Sequence, residues 1–139
     1  MSTPTDPKRV VIPSRMADVP GVLDQVIADL EHAGYAKDDR FAIRLALDEA
    51  VTNAVKHGNR LDPAKTVTVE WTAGPDELDI SVEDQGPGFD PHDVPDPTLD
   101  ENLSRPSGRG VMLIRAYMAT VEFNDRGNRV RMTRKKAGG

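Results

Sequence analysis

The chain has 139 residues, a formal net charge of -5 and 29% charged residues, with a pI near 5.1, which is the size of one domain with a core of its own. Its mild acidity argues against general nucleic-acid binding, and 4% aromatic residues argue against stacking on bases. The absence of cysteine excludes disulfides and thiolate metal sites, and three histidines (His32, His57 and His92) argue against a structural zinc.

Residues Met1 to Pro7 are polar, hold two prolines and read as a loose N-terminus without the apolar run of a signal peptide. "KRVVIPS" is a short strand that Pro13 stops. Val22, Leu23, Val26, Ile27, Leu30 and Ala33 recur at helical spacing, and Gly34 supplies a stop. A second helix is predicted from about Lys37 to His57, with Asp38 or Asp39 near its start and Gly58 at its end. Its apolar residues Phe41, Ile43, Leu45, Leu47, Val51 and Val55 occupy more than one stripe, which predicts burial over much of its circumference.

The period then changes. Val67, Val69 and Trp71 alternate with Thr66, Thr68, Glu70 and Thr72 as a half-buried strand. "AGPDE" turns the chain into a second alternating strand carrying Leu78, Ile80 and Val82, which makes a hairpin. From Gln85 to Arg109 the chain is rich in Pro, Asp and Gly, and a loop of that length is read as a lid or binding loop. "GVMLIRAYM" is a short apolar helix. "TVEF" and "RVRMT", joined by "NDRGN", form a closing hairpin with Val121, Phe123, Val130 and Met132 toward the core. The basic tail "RKKAGG" is expected to fray. This order predicts an α+β fold, a two-layer α/β sandwich whose mixed, mostly antiparallel sheet is covered by helices on one face. The boundaries expected are a flexible segment over 1–7, one domain over 8–134 with a lid at about 89–107, and a flexible tail over 135–139. No stretch approaches the ~20 apolar residues that span a bilayer, so a soluble cytoplasmic domain is expected.

Three constellations carry chemistry. Glu49, Asn53 and His57 follow one another at intervals of four, which places them on one helical face. A carboxylate and a carboxamide one turn apart can share a hard cation such as Mg²⁺, which takes phosphates as further ligands. Alternatively the acid accepts a proton from an attacking hydroxyl or water. The ordinary alternative is a solvated face ending in a glycine cap, with His57 as a cation favoured at the negative helix end. In "VEDQGPGFDP", Asp84 shares parity with Leu78, Ile80 and Val82 and so points to the face that the helices cover. A carboxylate there needs a hydrogen-bond donor, such as the exocyclic amine of a purine, and Gly86 and Gly88 let the backbone approach a flat ligand. A plain turn at the strand end is the competing reading. In "SGRGVMLIRAYM", Gly108 and Gly110 precede a helix whose N-terminal amides form a ready phosphate site, with Arg105 and Arg109 to add charge; a flexible linker is the alternative there. No GxxxxGK[ST] loop is present, so this is not a P-loop protein.

In order and spacing the three segments resemble the N box, first glycine box and second glycine box of the GHKL ATPases, the Bergerat-fold superfamily of histidine-kinase-like ATPases. "RLALDEAVTNAVKHGN", "VEDQGPGFD" and "PSGRGVMLIRAYM" are most similar to the small anti-sigma-factor serine kinases (RsbW-like). The similarity runs from about Val10 to Thr133. It implies that Asn53 coordinates Mg²⁺, that Glu49 is the general base or positions the attacking hydroxyl, and that Asp84 binds the adenine amino group. Gly86 and Gly88 would shape the adenine pocket. Gly108, Arg109 and Gly110 would meet the phosphates through backbone amides, with Val111 and Arg105 in the same nucleotide-binding set and His57 and Gly58 beside the phosphates. The implied activity is ATP-dependent phosphorylation of a serine on an anti-anti-sigma partner of the STAS type, together with sequestration of a sigma factor in stress-response transcription. A homodimer is implied, without direct contact to nucleic acid or membrane. Two other functions fit the same pocket: an ATP-binding module that only binds proteins, and a plain ATPase.

Overall fold

The computed structural model describes residues 7–86, 114–124 and 127–137. Strand β1 (Lys8–Pro13) leads through a single 3-10 turn (Met16–Asp18) into helix α1 (Val19–His32). Helix α2 (Lys37–Asn53) continues directly into a π-helical turn (Ala54–Gly58). Strands β2 (Thr66–Ala73), β3 (Glu77–Glu83), β4 (Thr120–Phe123) and β5 (Arg129–Lys135) complete the sheet, and 114–117 form a helical turn before β4. Strand order is β1-β2-β3-β5-β4, and every pairing is antiparallel among the described residues, in keeping with the mostly antiparallel sheet expected.

Register explains why one face of the sheet carries the helices. Val10, Val69, Val82, Val130 and Phe123 form one row across all five strands, and Trp71, Ile80, Met132 and Val121 form the next. Val69, Ile80 and Met132 are fully buried in these rows, as is Val67 opposite Ile12, under Val26, Leu30, Ile43, Leu47 and Val51 from the helices. Each such side chain contributes roughly 1.5–3 kcal/mol by leaving water. The opposite face alternates Arg9, Glu70, Ser81, Arg131 and Glu122 in a single cross-strand row, a polar surface that needs no cover.

Two expectations are corrected. Helix α2 is not buried on most of its circumference: Ile43, Leu47 and Val51 are buried, but Phe41 is 63% exposed and Leu45 lies at the surface. Helix α1 and the sheet cover only one side of α2, and the Phe41 side has no partner element among the described residues. The tail is also tied down further than expected. The amide of Lys136 donates to the Asp76 carbonyl at 2.8 Å, and that of Ala137 to the Asp39 carboxylate at 2.8 Å. No helix among the described residues is long and apolar enough to cross a membrane.

Candidate functional site

Helix α2 presents Glu49 and Asn53 half-buried near its C-terminal end. Neither side chain has a hydrogen-bond partner among the described residues, whereas the neighbouring exposed Asp48 accepts from the Thr52 hydroxyl at 3.1 Å. His57 belongs to the π turn and is exposed. Its pKa lies below the ordinary imidazole value because of partial burial and the adjacent Lys56 charge. The helix-end location alone would favour the cation, so desolvation and Lys56 outweigh the dipole here. Single π turns recur at functional sites because the widened turn re-aims the residues that follow.

The π turn delivers Gly58 to the end of β3. A Cβ on Gly58 would overlap the Asp84 carboxylate, and a Cβ on Gly86 would overlap the Gly58 carbonyl. Glycine is needed at both positions because two chain segments pass in backbone contact. The Asp84 carboxylate accepts from the Gly86 amide at 2.8 Å. Asp84 thus sits where strand parity places it, on the helix side of the sheet, at the point where the N-box helix ends.

Four polar side chains that the sequence did not single out, those of Ser14, Asn59, Gln85 and Asn128, build this junction. Asn59 is 1% exposed. Its amide group donates to the Ser14 hydroxyl at 2.7 Å and the Thr66 carbonyl at 2.8 Å, and its carbonyl oxygen accepts from the Gln85 amide at 2.7 Å. Gln85 in turn accepts from the Thr66 amide at 2.7 Å. Across the sheet, the Asp84 amide donates to the Asn128 carbonyl at 2.8 Å and the Asn128 side chain donates to the Asp84 carbonyl at 3.2 Å. The only sequence signal was Asn59 directly after Gly58 and Asn128 directly after Gly127, each at the end of an element. Gly88, Arg105, Gly108, Arg109, Gly110 and Val111 lie outside the described residues.

Residues 12–134 match the histidine kinase-like ATPase domain family. The chain belongs to this family. It is 37% identical over 110 residues to a serine-protein kinase RsbW of Bacillus licheniformis, covering 73% of this chain and 68% of that protein. It is 35% identical over 99 residues to an anti-sigma F factor of Clostridium perfringens, covering 67% of this chain and 70% of that protein. A crystal structure of the RsbU and RsbW domains of a Mycobacterium tuberculosis protein superposes with a TM-score of 0.61 at 18% identity. That likeness covers 95% of this chain and 32% of the longer one, and it carries the fold.

The family is one of ATPases, and its name implies use of ATP. The Asp84 carboxylate can accept from an exocyclic amine. Asn53 offers one neutral oxygen donor, and no cluster of three acidic or histidine side chains forms a metal cage among the described residues. Such a donor set fits Mg²⁺, which keeps waters and phosphate oxygens as ligands, better than Ca²⁺ or zinc. A groove of about 420 Å³ is lined by Arg9, Thr68 and Glu83 and also by Asp84, Gln85 and Asn128 of the junction. It adjoins the junction through those last three residues, and Glu49 and Asn53 do not line it.

Proposed function

We propose that this protein transfers the terminal phosphate of ATP to a serine of a protein partner, an anti-anti-sigma factor of the STAS type, and that it also sequesters a sigma factor. The observation that carries the reading is the pair Glu49 and Asn53, half-buried on α2 without hydrogen-bond partners among the described residues, on the helix that runs on to the Gly58 contact with Asp84. Neither group is buried and unsatisfied, so both polar ends stay open to a ligand, one helical turn apart. The names of the relatives support the same activity.

In this mechanism Asp84 accepts a hydrogen bond from the adenine amino group and fixes the base. Glu49 accepts the proton of the attacking serine hydroxyl as its oxygen forms a bond to the terminal phosphorus and the bond to the ADP oxygen breaks. Asn53 holds the metal side of the triphosphate, and Mg²⁺, when bound, supplies neutralisation of the phosphate charge. The backbone amides of Gly108, Arg109, Gly110 and Val111, with Arg105, complete the phosphate side, and Gly88 the base side. The protein acts as a homodimer in the cytoplasm.

The test is ATP binding by calorimetry with and without Mg²⁺. Asp84→Asn is expected to weaken binding at every magnesium concentration, and Asn53→Ala only when magnesium is present. Absence of ATP binding by the wild type would overturn the reading and leave a fold used only for protein contact.

A further inference from the structure

The π turn and the glycine turn after β3 are joined by one side chain. Asn59 follows Gly58, against which the Asp84 carboxylate lies, and its carbonyl oxygen accepts from Gln85, the residue after Asp84. Two neighbouring residues of the N-box helix end therefore hold two neighbouring residues of the first glycine box. We propose that Asn59 is a positioning residue for purine recognition: it fixes the Asp84–Gly86 turn against Gly58 and so sets where the Asp84 carboxylate meets the base. This rests on the reading of Asp84 as the group that binds the adenine amine.

Geometry gives Asn59 little freedom. At 1% exposure its amide cannot trade a lost protein bond for bulk water. It spans three chain segments, reaching Ser14 past the end of β1, Thr66 at the start of β2 and Gln85 past the end of β3. The backbone around it is strained. Arg60 and Leu61 have φ of 54° and 60°, a left-handed pair without glycine. Such strain persists only where surrounding contacts over-determine it. Here the Leu61 amide donates to the Val55 carbonyl at 2.9 Å and the Asp62 amide to the Asn59 carbonyl at 3.0 Å. The left-handed pair turns the chain away toward β2 while Asn59 stays inward. Asn128 holds the Asp84 peptide from the sheet side, and Asn59 ties that turn to the end of the helix that carries Glu49 and Asn53. Recognition by one carboxylate tolerates displacements of only about 0.5 Å.

The experiment compares dissociation constants of Mg·ATP and the Mg complex of purine riboside triphosphate, which lacks the 6-amino group. The wild type is expected to favour ATP by about tenfold or more. Asn59→Ala is expected to bring the ratio close to one while the magnesium dependence of binding persists. Asn59→Ser, whose hydroxyl is too short to reach the Gln85 amide, gives the same test should the alanine variant fail to fold. Ser14→Ala removes one partner of Asn59 but keeps the bond to Gln85, and it should discriminate like the wild type. A wild-type ratio in Asn59→Ala or Asn59→Ser, or an equal loss in Ser14→Ala, overturns the positioning role. A wild type that binds both nucleotides equally overturns the Asp84 reading itself and the inference with it.

Discussion

The two ends of helix α2 are built from opposite chemistry. At its start, Asp39 is 2% exposed and accepts from Arg134 Nε at 3.1 Å, from Arg134 Nη2 at 3.0 Å and from the Ala137 amide at 2.8 Å. The same guanidinium donates to the Tyr117 carbonyl, so one arginine joins α2, β5 and the segment before β4. Nearby the Tyr35 hydroxyl donates to the Gly74 carbonyl at 2.7 Å. At the other end Glu49 and Asn53 remain uncommitted among the described residues, and the backbone contact is made by glycines and neutral amides. A fold can close its ionic groups on one another where only stability is at stake. Under the proposed function the other end receives a ligand, and there the frame is held by amides while the Glu49 carboxylate is left unspent.

Glu49→Gln tests that contrast with the largest effect. It removes a proton acceptor while keeping shape, so Mg·ATP should bind as in the wild type while phosphate transfer to a partner serine falls by about 10²–10⁴-fold. Transfer at the wild-type rate would place Glu49 with the structural residues. Asp39→Ala probes the other end. It leaves the Arg134 guanidinium and the Ala137 amide without their acceptor, at a cost of about 3 kcal/mol, the lower end for a buried pair because Arg134 is partly exposed. Thermal denaturation should show a fall in Tm of about 10 °C, with the ATP dissociation constant at 25 °C unchanged. A variant that keeps its Tm but loses ATP would join the two ends functionally. Gly58→Ala comes next. The added methyl overlaps the Asp84 carboxylate, so the cost of about 1–3 kcal/mol falls on the site. ATP binding should weaken by about ten- to a hundredfold, and a fall in Tm without a change in binding would make this end structural too.

How much of this was legible depended on whether the cause was local. The two-residue period of a strand is strict, so Leu78, Ile80 and Val82 placed Asp84 on the helix side before any coordinates, and Gly58 is found against it. The hairpins and the order of elements were legible for the same reason. The exposure of Phe41 was not, since it depends on which side of α2 receives α1 and the sheet. Asn59 was missed because its partners stand 45, 7 and 26 residues away, and no spacing rule connects them. Asp39 was seen only as a charge near a helix start, while its partner Arg134 is 95 residues distant. The expected phosphate-side residues, from Arg105 to Val111, fall outside the described residues.

The smallest effect is on pH, and it separates the two ends by sign of response to nucleotide. Burial first and Lys56 second hold the His57 pKa below 6.5 in the folded chain. Between that lowered pKa and 6.5 the unfolded chain binds a proton that the folded chain does not, so stability falls as pH drops through this window. His57→Gln should remove that component, and the difference between the urea midpoints of the two proteins from pH 7 to pH 5 isolates it from carboxylate titration. A triphosphate beside His57 is a strong negative charge, which favours the imidazolium and raises its pKa. Saturating Mg·ATP should then flatten or invert the His57-dependent slope, by mass action on the folded state. Tyr35, at the other end, gives the control. Burial, then the charges of Glu77, Asp39 and Asp76, push its pKa up to about 12, so its contribution is lost only as pH rises from about 10 toward 12, and nucleotide should leave that limb in place. A His57 slope that ignores ATP would mean that the phosphates do not lie beside the π turn.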